Sequence, residues 1–172
     1  MKEEKKSMPN IIVNEKGQKV VRIDTIIFSS KRRIDWAGVE DYLKRFVGEE
    51  YVIDETDEII YIGTDFPDEY ANSRYSTKAL GTIGKAKANA AQAIPELVKT
   101  ATNITFRENT EQKHNSDAKY GWYRCTVRFS LPTCDDSGNV IGRNHFQGRM
   151  IIRCDANGKK YLYDIIDIKK ET

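Results

Sequence analysis

The sequence predicts an α+β protein in which helices pack on one face of a mostly antiparallel sheet that ends in a three-stranded meander. Two observations carry this prediction. Apolar residues recur at helical spacing over 36–47 and 77–102, whereas after position 103 they alternate with polar residues at every second position. Two hairpin signals, DSGN and then Asn157-Gly158 as a type I′ turn, divide the alternating region into segments that can pair in succession.

The size of the chain predicts one domain. It has 172 residues, of which 39% are apolar and 10% aromatic, and this is enough to fill one core. Residues 1–9 offer almost nothing to bury, so we predict a disordered tail there and a single domain over 10–172. Within this domain, residues 10–75 form a leading segment of hairpin, helix and strands, and residues 76–172 form a helix pair followed by the meander.

The leading segment contains four apolar runs that predict short strands: 11–13, 20–28, 51–53 and 58–62. Asp35 is placed to cap a helix that begins at Trp36, and Gly48 lies where a helix-ending glycine is expected. Residues 63–76 are rich in Gly, Pro, Asn and Ser and predict a loop.

The second segment begins with the helix pair. Ser76 or Thr77 can cap the longest helix, which runs through the alanine-rich stretch towards Ile94. Pro95 opens a second helix, because proline lacks the N–H that a helix interior requires. A short strand, 104–107, and a polar loop that carries His114 lead into the meander.

The cysteines and the N-terminal residues indicate the cellular compartment and whether a metal or cofactor is expected. Cys125, Cys134 and Cys154 are odd in number and form no C-x-x-C pair, which predicts reduced thiols rather than a disulfide framework or a zinc ribbon. No cofactor motif is present, so we expect neither a cofactor nor a metal. The charged start lacks the apolar run of a signal peptide, and no stretch is apolar over eighteen residues. We therefore expect a cytoplasmic protein that has no membrane contact.

Alternation along the first two meander strands collects basic residues on one side of the sheet, here called the arginine face. Its predicted nucleic-acid-binding residues are Trp122, Arg124, Arg128, His145, Arg149 and Arg153. Four guanidinium groups repel one another unless anions or carboxylates lie between them. Two interpretations stay open: a nucleic-acid-binding surface, or a solvated face whose arginines pair with Asp164, Asp167 or the acidic segment 54–58.

The two histidines are candidates for acid and base in RNA cleavage. Attack by the 2′-OH needs one group that takes its proton, another that protonates the leaving oxygen, and cations that stabilise the phosphorane. His114 and His145 lie at opposite loop ends and could meet across the sheet. The predicted catalytic residues are His114 with Arg124 or Arg128, and Tyr163 as a further donor, with Tyr161 as the alternative donor. The basic face has no acidic cluster that could hold magnesium, which favours a metal-independent route.

The helix pair, the loop with His114 and the strands WYRCTVRFSLP, MIIR and GKKYLYDIIDIKKE resemble the accessory domains of large polyvalent proteins of phages and conjugative elements. The resemblance covers 77–172, and 12–68 is similar to the leading segment of the same family. These domains are grouped with the barnase, EndoU, colicin and RelE-like nuclease fold. The resemblance implies helices on one face of a sheet and metal-free RNA cleavage on the other.

The sequence therefore predicts a mobile-element domain that binds or cleaves RNA through the arginine face. The alternative is a non-enzymatic interaction or accessory module whose arginine face meets an acidic protein partner. A metabolic enzyme is disfavoured, because no nucleophile has a base near it in the pattern. Whether the chain is an enzyme, and in which oligomeric state it exists, stays open at this point.

Overall fold

The computed structural model describes residues 8–29, 33–110, 114 and 118–171. Helices and strands both occur, so the predicted α+β class is confirmed. Most of the predicted tail, residues 1–7, lies outside the described residues. None of the helices in the described part of the chain is long and apolar enough to cross a membrane.

The described residues form eight strands and five α-helices. The strands are β1 (Asn10–Val13), β2 (Lys19–Arg22), β3 (Glu50–Val52), β4 (Ile59–Tyr61), β5 (Thr102–Arg107), β6 (Gly121–Cys134), β7 (Val140–Cys154) and β8 (Lys160–Glu171). The α-helices are α1 (Trp36–Leu43), α2 (Phe66–Asn72), α3 (Arg74–Lys78), α4 (Gly81–Ala90) and α5 (Ile94–Thr100). Short 3₁₀ turns follow α1 at Lys44–Phe46 and join α4 to α5 at Ala91–Ala93.

The meander is formed as predicted. β6 and β7 pair antiparallel over almost their whole length, and β8 pairs antiparallel with β7. The full sheet has the order β1-β2-β6-β7-β8-β4-β3, and β5 pairs with the first half of β6.

The prediction of a mostly antiparallel sheet with helices on one face is wrong, because the sheet is mixed and curled. β2 pairs parallel with β6, and β4 pairs parallel with β8. Each parallel pair joins strands that are far apart in sequence, and the helices lie in the intervening chain, as parallel crossovers require. The helices α2 and α4 contact β8. Near the C-terminal end of this strand, the backbone N–H of Ile168 donates to the hydroxyl of Tyr75 on α3 at 2.8 Å.

The core lies where alternation places it. Every second side chain of β6 from Cys125 to Leu131 is buried, and α4 and α5 pack against this strand. The buried residues of β6 and β7 at this parity are Cys125, Val127, Phe129, Leu131, Met150 and Ile152. The small alanines of α4 are also fully buried, which allows the helix to lie close to the sheet.

Two helix predictions need correction. The predicted loop 63–76 contains α2, with Pro67 in its first turn, and α3, whose cap is Ser73. The Ser73 side chain accepts a hydrogen bond from the backbone N–H of Ser76 at 3.2 Å. The alanine-rich helix begins only at Gly81, because Ala79 and Leu80 are extended. Pro95 lies in the first turn of α5, as predicted.

Three hairpins share one turn, in which Asn or Asp at the first position is followed by Gly at the fourth. The first side chain accepts hydrogen bonds from two backbone N–H groups, and the glycine has φ near +80°. The turns are Asn14–Gln18, Asp135–Asn139 and Asp155–Lys159. The predicted type I′ turn at Asn157-Gly158 is wrong, since only Gly158 of this pair has a positive φ.

An ion pair lies inside the core. Lys87 of α4 and Asp164 of β8 are both buried, and Lys87 Nζ lies 2.6 Å from Asp164 Oδ1. The rings of Tyr70 and Tyr75 lie on either side of the ammonium group, with centroids 4.6 and 4.9 Å from Nζ. The sequence analysis assigned no role to Lys87.

The burial of the cysteines predicts a labelling pattern. Cys134 is exposed, whereas Cys125 and Cys154 are buried. Burial raises the pKa of Cys125 to about 12 and also raises the pKa of Cys154. Because the thiolate is the reactive form, we expect a disulfide reagent at pH 8 to label one thiol of the native protein and three thiols after unfolding. Cys134→Ser should abolish the native reaction, and two rapidly reacting native thiols would contradict the burial of β6 and β7.

Candidate functional site

A depression of about 450 Å³ lies on the arginine face, at the N-terminal end of β6. Its polar and aromatic lining comes from four separate parts of the chain: Arg107 of β5, Trp122 and Arg124 of β6, Tyr163 of β8, and His114. Asn109, Glu108 and Thr110 line one rim, and Ile151 and Ile166 form its apolar floor. We call this region the β6 depression.

Three rings pack edge to face within the β6 depression. The centroid of His114 lies 4.9 Å from that of Trp122 and 5.7 Å from that of Tyr163, and the rings of Trp122 and Tyr163 are 4.9 Å apart. Trp122 Nε1 donates to Asn109 Oδ1 at 3.4 Å. The edge-to-face arrangement fixes the imidazole between an indole and a phenol.

A β-bulge places Tyr163 in this cluster. Leu162 pairs with Ile152 and Asp164 pairs with Ile151, so β8 has one more residue than β7 at this point. Tyr163 is this extra residue. Such bulges redirect a side chain, and here the redirected side chain is the phenol that contacts Trp122.

Arg124 is a cation of the β6 depression that has no countercharge among the described residues. Among the described residues no carboxylate pairs with it, and its buried Nε has no hydrogen-bond acceptor. Burial lowers the pKa of the guanidinium group, nearby Arg107 and Arg149 lower it further, and Asp167 opposes them. Arginine nevertheless stays protonated in proteins, so the half-buried guanidinium group of Arg124 presents a positive charge to this depression with no paired carboxylate among the described residues.

The other predicted arginines have carboxylates beside them. The three pairs are Arg128 with Glu171 at 3.5 Å, Arg149 with Asp167 at 3.1 Å, and Arg153 with Asp65 at 3.4 Å. These three arginines are thus paired, as the second interpretation predicts, but Arg153 is buried rather than solvated. The partners that this interpretation predicts are partly wrong, because Asp164 binds Lys87 and the segment 54–58 contributes no partner to these arginines.

The two histidines do not meet across the sheet. His145 is exposed near the start of β7 and lines a different depression, together with Arg128 and Glu171, beside the β1–β2 hairpin. The position of His114 along the sheet is given by Trp122, which it contacts and which pairs with Arg153 of β7. His145 is eight residues away from Arg153 on the same strand, about 27 Å at 3.4 Å per residue. Of the predicted site residues, His114, Trp122, Arg124 and Tyr163 therefore line the β6 depression, whereas Arg128 and His145 line the other one.

The sequence analysis missed Arg107 and Asn109. Arg107 pairs with Trp122 and ends the short strand that was predicted over 104–107. The alternation along 104–107 indicated which side of its own strand Arg107 occupies, but it did not indicate that β5 pairs with β6. Asn109 follows this strand, in the loop whose residues 111–113 and 115–117 lie outside the described residues.

The described residues contain no group of three His, Cys, Asp or Glu side chains that could hold a metal ion. Comparison of the chain with family models, with curated proteins and with solved structures gives no match. The resemblance to polyvalent-protein domains therefore stays a prediction that rests on the quoted sequence patterns.

Proposed function

We propose that the chain binds single-stranded RNA in the β6 depression. The observation that carries this proposal is the guanidinium group of Arg124, which has no carboxylate partner in the described part of the chain and lies in the same depression as the rings of Trp122, Tyr163 and His114. Single-stranded RNA offers both groups that this lining can recognise. Its phosphates match the cations Arg124 and Arg107, and its unstacked bases match aromatic rings.

The proposal includes metal-independent RNA cleavage, because an imidazole and a phenol lie side by side in the same depression, with ring centroids 5.7 Å apart. His114 takes the proton of the 2′-OH, and the 2′-oxygen attacks the phosphorus. The bond to the 5′-oxygen breaks, and Tyr163 gives its proton to this leaving oxygen. The products are a 2′,3′-cyclic phosphate and a 5′-OH, and the proton on His114 returns to Tyr163 through solvent. Arg124 stabilises the charge on the non-bridging oxygens.

A second candidate function is a protein-interaction module that binds an acidic partner. It is favoured by the carboxylates that already lie beside Arg128, Arg149 and Arg153. In such a complex, carboxylates of the partner would bind this face in the same way as the chain's own carboxylates already do. We place it second because carboxylates give no role to the aromatic cluster beside Arg124.

The sequence resemblance suggests where such a protein acts. We propose a domain that is encoded by a phage or conjugative element, has a nuclease-like fold and acts on RNA in the cytoplasm of the host. The curled sheet with a binding surface on the arginine face is compatible with this proposal. Assays of RNA binding and RNA cleavage test the activity directly, whatever the origin of the chain.

Salt dependence tests the binding proposal. We expect wild-type protein to bind a labelled single-stranded RNA with an affinity that falls steeply as salt rises, with a slope of about −0.7 per phosphate contact in a double-logarithmic plot. Arg124→Gln should weaken binding and reduce this slope by about 0.7, because one phosphate contact is lost. Fluorescence anisotropy from 50 to 300 mM salt measures both quantities.

Arg45→Gln is the matched control. Arg45 is exposed, and its guanidinium group lies over the ring of Tyr42 at 3.5 Å, away from the β6 depression. We expect this variant to keep the wild-type affinity and slope. Absence of RNA binding at low salt, or binding that Arg124→Gln and Arg45→Gln weaken equally, would contradict the proposed site.

A further inference from the structure

Five side chains form one continuous row across the sheet, perpendicular to the strands. The cross-strand register places each beside the next: Arg107 of β5, Trp122 of β6, Arg153 of β7, Tyr161 of β8 and Tyr61 of β4. In-register neighbours lie on the same face of a sheet. Cations and aromatic rings therefore follow one another from the β6 depression to the opposite side of the meander.

Burial on the other face confirms the orientation of the row. Ile60 and Leu162, the neighbours of Tyr61 and Tyr161 in sequence, are buried in the core. Since successive side chains of a strand point to opposite faces, both tyrosines lie on the face away from that core. Both are half-buried, so parts of their rings are open to solvent.

Contacts within the far end of the row join aromatic rings to cations. The rings of Tyr61 and Tyr161 are 5.9 Å apart. Lys159, an exposed residue of the β7–β8 turn, places its ammonium group 4.1 Å from the centroid of Tyr61. Arg153 lies 4.2 Å from the centroid of Tyr161.

Arg153 and Lys159 differ in what they can offer a ligand. Arg153 is only 9% exposed, and its NH2 group lies 3.4 Å from both carboxylate oxygens of Asp65. It therefore holds Tyr161 in place and is a positioning residue. Lys159 is exposed and is available to contact a phosphate, as Arg107 is at the other end of the row.

We infer that this row is the path of a single RNA strand, and that Tyr61, Tyr161 and Lys159 form a second nucleotide subsite beyond the β6 depression. This inference rests on the proposed function. Five neighbouring strands place the ends of the row about 19 Å apart at 4.8 Å per strand. An extended strand of about four nucleotides fits such a span, and this is the lower end of the site sizes known for sheet surfaces that bind single strands.

Single-stranded RNA is the occupant that fits both features of the row. Bases can stack on the phenol rings at one end and on Trp122 at the other, whatever their sequence, because every base has a π face. The exposed cations at both ends fit phosphates that follow the same line. A folded acidic protein would meet the cations but would leave the exposed parts of the aromatic rings without a stacking partner.

Oligonucleotide length tests the second subsite. The two probes are oligouridylates of three and of eight nucleotides, and each is titrated into the full chain while the fluorescence of Trp122 is followed in a Trp36→Phe background. We expect the longer probe to bind more tightly than the shorter one. Tyr61→Leu, which keeps an apolar side chain in β4, and Lys159→Ala in the exposed turn should each remove much of this gain. The loss for Tyr61→Leu is about 5-fold or more for the longer probe and negligible for the shorter one.

Phe106→Ala is the matched control, because Phe106 is 49% exposed and packs on Tyr123, on the other face of the sheet. It should bind both probes as the wild type does. If Tyr61→Leu and Lys159→Ala keep the full gain while Arg124→Gln weakens both probes, the second subsite is overturned and the proposed function stands. If the wild type binds neither probe, the proposed function fails and the path fails with it. Equal losses in Phe106→Ala and Tyr61→Leu would also overturn the path.

Discussion

Asp164→Ala is expected to lower the free energy of unfolding by about 3–5 kcal/mol, which is the usual cost of removing one partner of a buried ion pair. The side chain of Lys87 is 0% exposed, and that of Asp164 is 5% exposed. The substitution leaves the ammonium group of Lys87 inside the core without a carboxylate. It also removes the acceptor of the hydrogen bond that the backbone N–H of Ile165 donates at 2.8 Å.

The surroundings of the pair cannot replace the carboxylate. Burial lowers the pKa of Lys87 and raises the pKa of Asp164, and in each case the charge of the other residue opposes the shift. The rings of Tyr70 and Tyr75 give the ammonium group a favourable cation–π contact, but this contact is worth only about 2 kcal/mol even when desolvated. The rest of the free-energy cost of burying the unpaired ammonium group of Lys87 therefore destabilises the folded state.

Urea unfolding followed by circular dichroism measures the loss. Asp41→Ala is the control, because its partner is Lys44 and both side chains are more than half exposed, so a change within about 1 kcal/mol is expected. The double variant Lys87→Met with Asp164→Asn should recover most of the stability, since it removes the charge and keeps an acceptor for Ile165. A loss below about 1 kcal/mol for Asp164→Ala in a natively folded protein would contradict the burial of this pair.

The meander and the core were predictable because their signals are local. Alternation from Tyr123 to Leu131 defines which side chains of β6 face the core, and glycine-containing turns define where the strands end. The parallel pairings were not predictable in this way. Val21 pairs with Phe129, more than a hundred residues later, and no local pattern records such a partner. Lys87 looks like a surface lysine in an alanine-rich helix until β8 brings Asp164 to it.

The site was predictable in part for the same reason. The parity of β6 places Trp122 and Arg124 on one face, and this follows from the sequence alone. Tyr163 reaches the cluster because of a one-residue bulge in β8, which alternation cannot predict. The countercharges of the arginines also depend on distant segments: Asp65 precedes α2, and it lies beside Arg153 of β7. Strand parity therefore predicted the face, whereas long-range pairing determines that Arg124 is the one of the four predicted arginines without a carboxylate partner among the described residues.

His114→Ala is expected to lower the rate of RNA cleavage by about 10²–10⁴-fold, which is the range for the loss of a positioned general acid or base. The proposed step requires a group that takes the proton of the 2′-OH, and His114 is the imidazole that lies beside Tyr163 and Trp122. A labelled single-stranded RNA incubated with the protein in EDTA should yield fragments that end in a 2′,3′-cyclic phosphate. An RNA with one 2′-deoxynucleotide at the cleaved position should resist, because the nucleophile is absent.

The matched control for this experiment is His145→Ala, since His145 is the second histidine and lines a separate depression beside the β1–β2 hairpin. It should cleave at close to the wild-type rate, while Tyr163→Phe should be slowed because the leaving oxygen loses its proton donor. RNA binding by His114→Ala should stay within a few-fold of the wild type, so that the loss lies in the chemical step. If several RNAs are bound by the wild type but not cut, or if cleavage survives His114→Ala, the β6 depression binds RNA without this chemistry, and the chain is a non-enzymatic module.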